Sequence, residues 1–292
     1  MPTPTSTAPS GPARKPREDE IDAHGVTHPG KVRRDNQDHF LLCSLRKQLV
    51  VRLTSIPDHD LPADAERLAS LAMVADGVGG AAHGETASRL ALAAATQYVS
   101  RSLRCYYGAS DEDERQLDEA LREGAHQCHA DLLRRGEEDP AFQGMATTLT
   151  LFLGVWPHGY LLQVGDSRCY LLRHGELTQI TRDQTMAQEM VDIGAMKAEE
   201  AAGTRLAHTL TSAIGGSQTD PKVTRFDMTW GHVILLCSDG LTRHVSDDRI
   251  REVLRSMTSA RQACETLLQD ALEGGGSDNI TVVVGRAVPR GE

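Results

Sequence analysis

Residues 148–173 read TLTLFLGVWPHGYLLQVGDSRCYLLR. The stretch holds three apolar runs, 148–155, 160–164 and 168–173, set apart by the turns Pro157-His158-Gly159 and Gly165-Asp166-Ser167. Runs of this length, rich in Leu and Val and bounded by turn residues, predict strands, and connections this short predict hairpins and therefore antiparallel pairing. Further out, the same signal predicts strands over 39–44, 48–53, 71–75, 222–228, 233–237 and 280–284. Between them, apolar residues at helical spacing predict helices over 85–103, 115–135, 186–193, 247–257 and 260–272. In the first of these Ala87, Leu90, Ala91, Ala94 and Tyr98 fall on one face. Strands and helices do not alternate one for one, which favours antiparallel sheets covered by helices over a doubly wound parallel sheet. The expected fold class is α+β.

The chain has 292 residues, with 31 Lys and Arg against 41 Asp and Glu, a formal charge of −10. Such a surplus of carboxylates offers no basic footprint for a phosphate backbone or an anionic lipid surface, so neither nucleic acid nor membrane is an expected partner. At 39% hydrophobic and 25% charged residues the composition is that of a globular protein. No run approaches the roughly 18 apolar residues of a spanning helix, and the N-terminus lacks the apolar core of a signal peptide. The six cysteines form no C-x-x-C pair and several lie inside apolar runs, as reduced thiols do. The expected compartment is the cytoplasm. Residues 1–19, MPTPTSTAPSGPARKPRED, consist almost wholly of Pro, Ser, Thr and charge and read as a disordered tail. Residues 20–288 contain no linker and no repeat of fixed period, so a single domain is expected there, with a short tail over 289–292.

Lone acidic residues fall at the ends of the predicted strands. Asp76 closes LAMVAD before GVGG, Asp166 follows LLQVG, Asp239 closes VILLCSD, and Asp278 stands immediately before NITVVV. If these ends converge, the carboxylates repel one another by about 4 kcal/mol per close pair at an effective dielectric of 20. A cation removes that conflict, and all-oxygen ligation selects Mg²⁺ or Mn²⁺ over zinc. Gly77, next to Asp76, leaves a carbonyl free to approach an ion closely. Taken singly, each Asp reads equally well as a turn residue; four in these contexts do not. Upstream, GKVRRDNQD over 30–38 adds Arg33 and Arg34, and a guanidinium beside a metal pair suits bidentate recognition of phosphate.

The series RRDNQD, ADGVGG, GMATTL, VGDSRCYLL, SAIGG, CSDGLT and SDNITVVV, in this order over roughly 23–284, resembles the motif series of the PPM family, the type 2C metal-dependent Ser/Thr protein phosphatases, in its bacterial form. The resemblance implies a four-layer α-β-β-α sandwich of two antiparallel sheets flanked by helices. It implies a centre of two Mn²⁺ or Mg²⁺ ions at one end, with a third, weaker ion in bacterial members. By motif, Asp76 would bridge both metals, the Gly77 carbonyl would complete the second, and Asp239 and Asp278 would hold the first. Asp166 would hold the third together with Asp239. Asp38 would hold water from beyond the metal ligands, and Arg33 would bind the phosphate, with Arg34 as its rival. The implied reaction is hydrolysis of phosphoserine and phosphothreonine in protein substrates, a cognate Ser/Thr kinase and its targets among them, by direct attack of a metal-bridging hydroxide. Thr147 and Thr148 are read as supports of the sheet. Residues 182–216 correspond to the flap that overlies the cleft in bacterial members. The chain departs from the pattern at Gln37, where many members carry Glu, at Val78, where eukaryotic members carry a His proposed as general acid, and in the long 45–70 connection.

Rival readings are weaker. GVGGAA over 77–82 fits the dinucleotide spacing G-x-G-x-x-A, but position 97, where a ribose-binding acid belongs, is Gln in a helical pattern. Cys128 to Arg134 and Cys237 to Arg243 fit the C-x5-R spacing of cysteine-dependent phosphatases, yet the first lies in a helical stretch and the second sets Asp239 where phosphate would sit. His126, Cys128 and His129 on a charged helix read as a solvated face. The alternative of a different class is a catalytically weak, phosphatase-like regulatory or phosphoprotein-binding module. Loss of Asp76, Asp239 or Asp278 would mark it, and all three are present.

Overall fold

Only the first of the two short turns in 148–173 closes a hairpin. The computed structural model describes residues 14–47, 66–78, 81–102, 111–201 and 204–290. Its strands are β1 (Ile21–His28), β2 (Asp38–Lys47), β3 (Glu66–Val78), β4 (Ala146–Thr147), β5 (Leu149–Val155), β6 (His158–Val164), β7 (Arg168–Arg173), β8 (Glu176–Gln179), β9 (Lys222–Asp227), β10 (Val233–Cys237) and β11 (Ile280–Ala287). Its helices are α1 (Ala81–Ser102), α2 (Asp111–Glu138), α3 (Met186–Asp192), α4 (Ala198–Ala201), α5 (Asp239–Thr242), α6 (Asp247–Ser256) and α7 (Ala260–Glu273). One sheet runs β2-β3-β5-β6-β9, with β4 paired to β3; the other runs β1-β11-β10-β7-β8. Every pairing among them is antiparallel.

β5 and β6 pair as the expected hairpin, whereas β6 and β7 belong to different sheets. The hairpin reading of Gly165-Asp166-Ser167 is therefore corrected: this turn carries the chain from one sheet to the other. Side chains, not a strand ladder, hold it. Thr150 Oγ1 donates to the Ser167 carbonyl at 2.9 Å, the Gln163 amide donates to the Gly165 carbonyl at 3.0 Å, and Gln184 Oε1 accepts from Gly165 N–H at 2.7 Å. Gly165 has φ +102°, a conformation that a side chain at this position would strain.

The central strands of each sheet are buried on both faces, which is why they read as near-continuous apolar runs. Leu71, Met73, Leu149, Leu151, Leu153 and Leu162 pack outward against Ala87, Ala91, Leu117 and Leu121 of α1 and α2. Tyr170, Leu235, Cys237, Val282 and Val284 pack outward against Ile250, Val253, Ala263 and Leu267 of α6 and α7. Alternate residues, among them Val74, Phe152, Leu161, Leu171, Ile234, Leu236 and Val283, meet between the sheets. The four layers are thus helix, sheet, sheet, helix, as the resemblance implied. Pattern reading missed β1, whose IDAHGVTH has no apolar run, and the short β8. The expected strand at 48–53 lies outside the described residues.

Of the segment read as a tail, residues 14–19 are described and held to the body. The Arg14 guanidinium donates twice to buried Glu20, at 2.6 and 2.7 Å, and sits 5.5 Å from the Trp230 ring centroid. Residues 1–13 and 291–292 lie outside the described residues. No described helix is long and apolar enough to cross a membrane.

Candidate metal centre

Asp38 opens β2 directly opposite Asp76 at the end of β3. The backbone of Asp76 is fixed by GMATTL: its N–H donates to Thr148 Oγ1 at 2.9 Å, and its carbonyl accepts from Thr147 Oγ1 at 2.8 Å and from Thr148 N–H at 2.9 Å. The two threonines are buried and act as supports. The sheet-switching turn brings Asp166 to the same end, and β10 and β11 bring Asp239, the first residue of α5, and Asp278. Asp76, Asp166, Asp239 and Asp278, with Arg33, Arg34, Gln37, Gly77 and Val78, line a cleft of about 830 Å³. His208 to Ala213, from the segment matched to the flap, line it too.

Asp38 lies beneath the cleft and is 2% exposed. Its Oδ2 accepts from Ser238 Oγ at 2.6 Å and from Thr281 Oγ1 at 2.8 Å, so one carboxylate ties the two sheets together at the site. Burial pushes its pKa up to about 6. Burial also holds Asp76 well above the usual carboxylate range, and Asp38, Asp239, Asp166 and Asp278 add repulsion. Asp166 is raised by burial and then by Asp239, and Asp239 by burial against the pull of Arg243.

Two arginines occupy part of this acidic surface. Arg33 forks onto Asp278, Nε to Oδ1 at 2.8 Å and Nη2 to Oδ2 at 2.9 Å. Arg243 donates from Nε to Asp239 Oδ2 at 2.9 Å and stands 3.3 Å from Asp278. With the guanidinium groups seated there, no three carboxylate, imidazole or thiol groups among the described residues close on one point. The donor set nevertheless suits hard cations. All of it is oxygen, the carboxylates repel one another, and Asp38 Oδ1 and Asp239 Oδ1 are buried without a hydrogen-bond partner among the described residues. Gly77 is packed so tightly that a Cβ would meet the Gly84 carbonyl oxygen at 2.2 Å, which places α1 directly against the backbone beside Asp76.

Pattern reading missed three contributors. Arg243 figures in the sequence only through the C-x5-R coincidence, yet it contacts two of the site carboxylates. His208 reaches the cleft from the flap segment and bears electrostatically on Asp239. Asn279, the middle letter of DNI, clamps the arginine loop: its amide donates to the Pro29 and Asp35 carbonyls at 3.0 and 2.9 Å, and its Oδ1 accepts from Gln37 N–H at 2.9 Å. The same clamp presses on α5, because a Cβ on Gly240 would lie 1.9 Å from the Asn279 carbonyl oxygen. Gly240→Ala is expected to cost about 1–3 kcal/mol in a urea titration, by forcing α5 and the SDN turn apart.

The rival sites do not assemble. Cys237 is fully buried and its thiol is pushed up to about 12 by burial. Cys128 is likewise buried and pushed up to about 12, while His129 Nδ1 accepts from Gly215 N–H at 3.0 Å. The antiparallel pairing of β3 excludes a Rossmann βαβ unit around Gly77.

Residues 58–274 match the family model Protein phosphatase 2C, and the chain belongs to that family. It is 39% identical over 226 residues to the serine/threonine protein phosphatase PstP of Mycobacterium tuberculosis, a match covering 75% of this chain and 41% of that protein. The chain thus spans less than half the length of this relative. It is 29% identical over 217 residues to the serine/threonine phosphatase stp of Listeria welshimeri, covering 73% of this chain and 83% of the relative. Its fold superposes on a crystal structure of the PstP catalytic domain in complex with two manganese ions, with TM-score 0.68, 35% identity, and coverage of 92% of this chain and 99% of the other.

Proposed function

We propose that this chain is a Mn²⁺- or Mg²⁺-dependent protein Ser/Thr phosphatase that hydrolyses phosphoserine and phosphothreonine in protein partners, a cognate kinase and its targets among them. The observation that carries this reading is the convergence of Asp38, Asp76, Asp166, Asp239 and Asp278 at one end of the sandwich, beside Arg33 and Arg34. Asp76, the Gly77 carbonyl, Asp239 and Asp278 would hold two cations, and Asp166 with Asp239 would take a third. Bound there, such ions would neutralise the carboxylates, acidify water and draw charge from the phosphate oxygens. Arg33 presents two parallel donors, the geometry that grips a phosphate bidentately and turns it for in-line displacement. Asp38, fixed by Ser238 and Thr281, keeps Oδ1 free of protein partners among the described residues, ready to orient water. Val78, half-exposed in the cleft, has no proton to give, so the leaving group takes its proton from water or from a group other than Val78. The cytoplasm is the proposed compartment; the free thiols of Cys43, Cys128, Cys169, Cys237 and Cys264 suit reducing surroundings.

Hydrolysis of a phosphothreonine peptide tests the proposal in three arms: metal-free, with Mn²⁺, and with Mn²⁺ plus chelator. Turnover is expected in the second arm alone, and a thiol reagent should leave it unchanged because Cys237 is buried and protonated. Activity indifferent to chelator would overturn the metal reading, and absence of turnover under every condition would favour a binding module.

A further inference from the structure

A second cavity, of about 570 Å³, opens between the sheets at the end away from the carboxylates. Its walls include Ser44 and Arg46 late in β2 and Arg67 and Ser70 early in β3, whereas Asp38 and Asp76 occupy the opposite ends of those strands. The volume lies within the roughly 300–1,000 Å³ of small-molecule sites. Deeper in, the lining is the inter-sheet core itself, with Leu42, Ala72, Phe152, Ile234, Leu236 and Val283. An interior of this kind accepts an aliphatic or aromatic body.

The charged lining is mostly basic, although Arg286 is paired with Asp22 at 3.0 Å and Arg46 with Glu18 at 3.3 Å. Lys15, Arg46, Arg67 and Arg286 line the cavity against a single acid, Glu18, among the described residues, in a chain whose formal charge is −10. Two lining side chains also carry buried donors with no acceptor among the described residues, Arg67 Nη1 and His232 Nε2. The Arg67 side chain is 9% exposed; its Nη2 donates to the Pro16 carbonyl at 2.5 Å and its Nε stands 4.0 Å from Glu18. His232 Nδ1 accepts from Thr229 N–H at 3.3 Å, which assigns the ring proton to Nε2. An unpaired buried donor is costly, more so on a cation, and the cost falls when an acceptor arrives.

We propose that this cavity binds a small monocarboxylic acid with an apolar tail, its carboxylate taking the unpaired donor of Arg67 and its tail lying between the sheets. The site is separate from the phosphatase centre, and its test needs no turnover. The chain has two tryptophans; Trp156 lines the cavity and Trp230 packs against it, with ring centroids 5.6 Å apart. Intrinsic fluorescence therefore reports on this cavity. Titration with decanoate should give a saturable, one-to-one change, with decanol binding at least about tenfold more weakly and decyltrimethylammonium producing no saturable change. Arg67→Met, shown to be folded by circular dichroism, should lower decanoate affinity by about tenfold or more. The proposal fails if decanoate gives no saturable signal, if decanol binds equally well, or if folded Arg67→Met binds decanoate like the wild type. The decanoate and decanol arms use the unaltered protein and decide the matter even if the variant does not fold.

Discussion

Asp76→Asn is expected to lower kcat for a phosphothreonine peptide by roughly 10²- to 10³-fold at saturating Mn²⁺, the loss that follows removal of one preorganised electrostatic contact to the reacting centre. The same change is expected to stabilise the metal-free protein at neutral pH. Burial, and after it repulsion from four neighbouring carboxylates, holds the pKa of Asp76 well above the ordinary 3.8. A carboxyl whose native pKa is raised favours the folded state while protonated. That contribution is complete below about pH 4 and is lost as pH rises through the native value. For Asp38, raised to about 6, the loss falls between about pH 4 and 6, and Asp76, shifted in the same direction, adds to it. In chelator, the urea midpoint of wild-type protein should therefore fall as pH rises from 4 toward 8, and that of the Asp76→Asn variant should fall less. A variant less stable than wild type in chelator at pH 7.5, or one with undiminished turnover, would contradict this account. Asp239→Asn should share the loss of activity, because its unpartnered Oδ1 belongs to the same acidic surface.

Arg33→Ala is expected to raise KM for a phosphopeptide by roughly tenfold to a hundredfold, the equivalent of a charged hydrogen bond or a bidentate pair, with a smaller change in kcat. Both donors of its fork already point at Asp278, so the guanidinium is held at the carboxylate end of the cleft, and a substrate phosphate there would compete for the same two N–H groups. Arg34 lines the cleft but is not given this fork. Arg34→Ala should leave KM near wild type. The reverse outcome, an unchanged KM in Arg33→Ala and a defect in Arg34→Ala, would transfer the phosphate to Arg34.

Much of the site was legible because its chemistry is written locally. A lone Asp at the close of an apolar run, followed by Gly, stands out against a strand in which both faces need apolar residues. Asp76 and Asp239 were found this way, Asp166 as the residue after LLQVG, Asp278 as the residue immediately before NITVVV, and Asp38 through its place in RRDNQD. Arg243 was not, because position i+4 on a one-turn helix is ordinary until the fold shows what lies opposite. Asn279 was invisible for a similar reason: its three partners lie on a loop some 240 residues away.

The sequence by itself determined most of the strands, most of the helices and the acidic residues at strand ends, because apolar periodicity and turn chemistry act over a few neighbouring residues. Tertiary structure alone decided which sheet each strand joins. Gly165-Asp166-Ser167 has the length of a hairpin turn, yet it crosses between sheets because Thr150, Gln163 and Gln184 hold it with side-chain hydrogen bonds. It also decided that Ser238 and Thr281 would grip Asp38 across 200 and 243 residues of chain. Such contacts depend on how two sheets pack, and packing is a property of all the buried faces together.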